Sequence, residues 1–127
     1  MSSPDTLYHA ALQANKAGNF EEASSLLLQP IETSPRFEDA YEALSVIYFN
    51  LKRYGDSIAV LQKWILINPD AVMARTNLSR CFAAKGMILE AEREQAEARR
   101  LSWKAELKSK KMEMPKVDFA AQIERFK

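Results

Sequence analysis

The stretch Ala40-Tyr41-Glu42-Ala43-Leu44-Ser45-Val46-Ile47-Tyr48 returns 34 residues later as Ala74-Arg75-Thr76-Asn77-Leu78-Ser79-Arg80-Cys81-Phe82. Ala40, Leu44, Ser45 and Tyr48 meet Ala74, Leu78, Ser79 and Phe82, so small, apolar and aromatic side chains recur in one order. The period extends outward on both sides. Pro35 and Pro69 are one step apart, Phe20, Tyr54 and Ile88 form a triple, and so do Glu22, Asp56, Glu90 and Ala23, Ser57, Ala91. Gly18 and Gly86 lie two steps apart with Lys52 midway. Self-similarity at a fixed period of this length marks stacked supersecondary units, none of which can bury its apolar face alone.

Each unit reads as two helices. Ala40, Tyr41, Leu44, Ser45 and Tyr48 share one helical face. A turn is expected around Lys52-Arg53-Tyr54-Gly55, and a second stripe of Ile58, Leu61, Trp64 and Ile65 ends at Asn68-Pro69. Ser45 and Ser57 are expected where the two helices approach closely, with Tyr41 and Tyr48 filling the space to either side. Three glycines and five prolines among 127 residues favour long uninterrupted helices over a turn-rich β fold.

Composition narrows the function. Hydrophobic residues make up 47% of the chain, which argues against wholesale disorder. Apolar runs stop at four residues, as at Trp64–Ile67, far short of the roughly 20 that a membrane helix needs. The opening residues Met1-Ser2-Ser3-Pro4-Asp5 carry neither a basic region nor an apolar stretch, so no export signal and a cytoplasmic location are expected. The net charge of +1 conceals an asymmetry. Residues 1–71 hold nine acidic and five basic side chains, whereas residues 72–127 hold eight and thirteen. The excess gathers in a basic stretch over 99–116, which offers a secondary reading of nucleic-acid contact, disfavoured because Trp103 is its one aromatic.

Catalytic chemistry is not expected. A single histidine, His9, and a single cysteine, Cys81, exclude a metal site built on several such ligands and an internal disulfide. His9 is expected on a helix surface, and Cys81 as a buried, inert thiol. Three isolated glycines cannot form a phosphate loop. Glu90, Glu92, Glu94 and Glu97 alternate with Arg93, Arg99 and Arg100, which reads as a solvated helix face. No cofactor, metal or small-molecule substrate is implied.

These residues resemble the tetratricopeptide repeat, whose pattern is an aromatic, a leucine and a small residue, a tyrosine, later an alanine, an aromatic or leucine, and a closing proline. The middle unit matches best, with Tyr41, Leu44, Ser45, Tyr48, Ser57, Leu61 and Pro69. The third keeps Leu78, Ser79, Phe82, Gly86, Ala91 and Ala98, and the first keeps Ala11, Gly18, Phe20, Ala23, Leu27 and Pro35. The resemblance implies an all-α fold, a right-handed α-solenoid of three antiparallel helix pairs with a C-terminal capping helix or tail. The units would occupy about 4–37, 38–71 and 72–101, and a basic capping helix and amphipathic tail would occupy 102–127.

Departures from the pattern sharpen the expectations. Pro30 stands in the second helix of unit one and should kink or end it. Trp64 stands where a small residue is usual. Gln95 and Arg99 replace the apolar Leu61 and Ile65, so the last unit's second helix should face solvent as the end of the stack. That helix either runs on past Leu101 or breaks near Ser102. Phe119, Ile123 and Phe126 form an apolar face in the tail.

The resemblance also implies that the first helices of successive units line a concave groove that binds a segment of a partner protein. Carried over by position, its lining would include Tyr8, Leu12, Asn15, Glu42, Val46, Phe49, Asn50, Met73, Thr76 and Arg80. The function expected is that of a non-enzymatic adaptor or chaperone-like module. The alternative is a self-assembling scaffold, a homo-oligomer held through Trp103, Phe119, Ile123 and Phe126. Members of this family that clamp the terminal carboxylate of heat-shock chaperones use lysine, asparagine and arginine at places that here carry Tyr8, Leu12, Ala43, Met73 and Asn77. A buried carboxylate would lack its partners there, so that role is not expected.

Overall fold

The computed structural model describes residues 3–110. Six helices follow one another: α1 (Pro4–Lys16), α2 (Phe20–Thr33), α3 (Glu38–Asn50), α4 (Tyr54–Ile67), α5 (Val72–Ala84) and α6 (Ile88–Ser109). There is no strand among the described residues. Ser3 caps α1 by accepting from the Thr6 N–H at 3.2 Å, and Pro4 sits at the first helical position, where a missing N–H costs nothing. The tight turns after α1, α3 and α5 each need a left-handed residue. Gly18 (φ +83°) and Gly86 (φ +79°) supply two of them, and Lys52 (φ +60°) supplies the third.

Consecutive helices pack in pairs, as the period requires. Within a pair the backbones come close because the facing residues are small. Ala11 and Ala23 are fully buried in the first pair. In the second, the Ser57 hydroxyl donates to the Ser45 carbonyl at 2.8 Å, and in the third the Ser79 hydroxyl donates to the Ala91 carbonyl at 2.7 Å. A larger side chain at any of these six places would separate the helices; the Ser57 and Ser79 hydroxyls answer a carbonyl across the seam without adding bulk, and Ser45 donates to the Glu42 carbonyl of its own helix.

The core forms two connected clusters. Ala11, Ala14, Ala23, Leu27, Ala40, Leu44 and Ile47 join the first pair to the second. Tyr41, Leu61, Trp64, Ala71, Ala74, Leu78 and Cys81 join the second to the third, and Ile31 and Val60 touch both. The backbones of the first helices α1, α3 and α5 come close in series, whereas those of α2, α4 and α6 stay apart from one another. The stack is therefore closed along the α1–α3–α5 side and splayed on the other, which makes the former the inner face.

One expectation meets a different outcome. Pro30 does not end α2, which continues to Thr33, and the Ser34 N–H closes on the Pro30 carbonyl at 2.8 Å. The ring is fully buried among core residues, so packing holds the helix where the missing N–H would loosen it. Of the two courses open to the last helix it takes the first, and α6 runs on past Leu101 as one helix to Ser109. Gln95 and Arg99 are exposed on it, as an end helix requires. Trp64 is buried, and its indole N–H donates at 2.7 Å to a Glu38 carboxylate oxygen that also accepts from the Asn68 side chain. This ties the start of α3 to the end of α4.

Candidate interaction groove

The inner face carries two adjoining hollows. The first lies between α1 and α3 and is lined by Tyr8, Leu12, Asn15, Asp39, Glu42, Ala43 and Val46. The second, between α3 and α5, is a cavity of about 40 Å³ lined by Ser45, Val46, Phe49, Asn50, Ser57, Asn77, Arg80 and Cys81. Val46 belongs to both and is 37% exposed, so the two form one groove across the middle helix.

The first hollow is acidic. Asp39 and Glu42 make no ion pair among the described residues. Tyr8 stands beside them, its ring 5.3 Å from Phe37. Burial, reinforced by the Asp39 and Glu42 carboxylates, pushes the Tyr8 hydroxyl above its ordinary value, so it remains a neutral donor. Leu12 and Val46 supply the apolar part of the wall.

The second hollow is polar at its base and cationic at its rim. The Cys81 thiol donates to Ser57 at 3.2 Å, and Ser57 passes its own hydrogen to the Ser45 carbonyl. Burial pushes the Cys81 thiol up, against the opposing effects of the Ser57 bond and Arg80, so Cys81 is a protonated structural group here. The Arg80 guanidinium lies 5.1 Å from the Phe49 ring centre and, like the two carboxylates, has no ion-pair partner among the described residues. Asn77 is 7% exposed, and its amide nitrogen has no hydrogen-bond partner among the described residues. The amide oxygen of Asn15 in the first hollow is likewise buried and without a partner among the described residues.

The structure thus brings together Tyr8, Leu12, Asn15, Glu42 and Val46 around one hollow, and Val46, Phe49, Asn50 and Arg80 around the other. Met73 is 48% exposed on α5 and lines neither. Nor does Thr76 line either hollow. Its hydroxyl returns to the Val72 carbonyl at 3.2 Å, and it shares a shallow depression with Ala98, Arg99 and Trp103 of α6. Trp103 is 60% exposed there, while Phe119, Ile123 and Phe126 lie outside the described residues. His9 is exposed. No group of three metal-ligating side chains exists among the described residues, and no described helix is long and apolar enough to cross a membrane. Asp39 escaped the sequence reading. Its spacing of three from Glu42 on a helix beginning at Glu38 was the signal that could have placed both carboxylates on one face.

No protein-family model and no curated protein matches the sequence. Solved structures do. A crystal structure of MamA superposes with a TM-score of 0.78 at 21% identity, over 81% of this chain, and the chain spans 60% of that protein's length. The Yersinia enterocolitica type III secretion translocator chaperone SycD matches at 0.76 and 20% identity, covering 85% of this chain and 84% of the other. The first tetratricopeptide-repeat domain of Spaghetti (RPAP3), bound to the HSP90 peptide SRMEEVD, matches at 0.73 and 16% identity, over 77% and 78%. The fold is the tetratricopeptide-repeat solenoid. In such a solenoid the period of 34 is the helix pair, and the three serine-or-alanine seams of this chain are its closest backbone approaches.

Proposed function

We propose that this chain is a non-enzymatic adaptor that holds a segment of a partner protein along the inner face, over Tyr8, Leu12, Val46 and Phe49. The observation that carries this reading is Val46, a branched apolar residue left 37% exposed at the centre of two hollows whose buried amides find no partner among the described residues. An apolar stripe rimmed by polar groups, on a rigid concave scaffold, suits a peptide ligand. SycD and the Spaghetti domain, a chaperone and a peptide-bound domain, support the reading by likeness of fold. The HSP90-peptide role is not proposed, because Tyr8, Leu12, Ala43, Met73 and Asn77 do not supply a set of cationic donors for a chain terminus.

Selection of random dodecapeptides displayed on phage against the full-length protein tests the proposal. Sequences enriched on the intact chain should be lost on Val46→Glu/Phe49→Glu, with helical circular dichroism retained. Because Phe49 touches the core, Val46→Glu alone serves as the milder variant. Enrichment that survives both variants would move binding off the inner face.

A further inference from the structure

The two hollows differ in charge, and the difference has a direction. Asp39 and Glu42 lie in the first turns of α3, and Arg80 lies beyond the middle of α5. All three lack ion-pair partners among the described residues, although Arg53, Arg75 and Arg100 elsewhere are paired. Along α3, Glu42 of the acidic hollow and Asn50, which lines the second hollow with Arg80, are eight residues apart. Eight residues of helix rise about 12 Å, which about four residues of extended chain would span. Between the poles lies Val46.

The buried amides say what backbone should lie there. Asn77 offers an N–H and Asn15 a carbonyl oxygen, each inside one hollow and neither paired among the described residues. An unmade hydrogen bond at a buried group is costly, so both favour a ligand that brings free main-chain carbonyl and N–H groups. An extended segment has these, whereas a helix has used its own.

We propose that the groove takes an extended peptide segment carrying a basic side chain at the Asp39–Glu42 end and an acidic side chain about four residues away at Arg80, with an apolar residue seated on Val46 between them. This rests on the groove-binding reading above and adds the chemistry and orientation of its ligand. Phe49 stacked against Arg80 holds the guanidinium in place before the ligand arrives. The pairing is to a side-chain carboxylate, which one cation can serve.

The same dodecapeptide selection, run on charge variants of the full chain, tests it. Peptides enriched on the unmodified protein should carry Lys or Arg and Asp or Glu three to five positions apart in a fixed order. Arg80→Glu should turn the acidic position basic and leave the other unchanged, and Asp39→Lys/Glu42→Lys should do the converse. All three side chains are at least partly exposed, so these variants fold. For one enriched peptide, Arg80→Ala should weaken binding about fivefold, as a partly exposed ion pair does. Asn77→Leu should weaken it further without loss of helicity. Peptides that need Val46 but show no charge order overturn this inference and leave the groove reading standing. Peptides indifferent to Val46, or none enriched, overturn both. A concentration-dependent dimer of the intact chain that Val46→Glu dissolves gives the groove to a second copy and also overturns it.

Discussion

Lys52 holds φ at +60°, where its counterparts one repeat away on either side are glycines at +83° and +79°. A side chain in the left-handed region costs about 1 kcal/mol, and the turn of the middle unit carries that cost while its neighbours do not. Lys52→Gly should therefore raise stability by roughly 1 kcal/mol. Gly86→Ala should lower it by about as much, through backbone strain alone, since an added Cβ there meets nothing within 4 Å. Gly55, inside α4 and equally free of neighbours, should gain about 0.5–1 kcal/mol as alanine. Urea midpoints of the three variants, with unchanged slopes, would measure all three effects. The glycine period itself pointed to these turns, and the departure at Lys52 was visible as a break in it. What the period could not reveal is that the chain keeps the left-handed conformation without the residue suited to it.

At the scale of the helix, the seam between α3 and α4 shows which contacts can be read along the chain. Ser45 and Ser57 stand at matching places in the repeat, and their close approach follows from their size. Trp64 is the contrary case. Its large side chain breaks the pattern, and its partner Glu38 lies 26 residues away on another helix, so no local spacing announces the bond. Pro30 misleads for a related reason, because a rule about one backbone N–H takes no account of a ring buried in the core. Thr76 was placed on the inner face by its position in the repeat. With no further helix pair after α6 among the described residues, it borders the depression beside Trp103 and not either inner hollow. Trp64→Ala should cost about 3–5 kcal/mol, since it empties a core site and strips a carboxylate of one of its two side-chain donors. Trp64→Phe should recover most of the packing but not the hydrogen bond. Thermal unfolding of the pair would separate the two contributions.

At the scale of the molecule, a three-unit stack has nearest-neighbour stability, with each pair leaning on the next through one of two core clusters. The overall architecture was legible because the period is long and its chemistry consistent. The groove was legible only in part. Its apolar members, and Asn15, Glu42 and Arg80 among the polar ones, follow from position in the repeat, whereas the part of Asp39 and the want of partners for these charges and for the Asn15 and Asn77 amides among the described residues depend on which faces the helices turn toward one another.

The lone thiol of Cys81 sits where those units meet, 1% exposed and donating to Ser57 of the preceding pair. A thiol-specific reagent can reach it when the third pair swings away from the second, so its modification rate is a clock for partial opening that the chain carries without any engineered label. That rate should exceed the rate of global unfolding, and Ser57→Ala should quicken it. A peptide occupying the groove should slow it in proportion to occupancy, and a rate indifferent to the peptide would mean that the seam breathes independently of what lies across it.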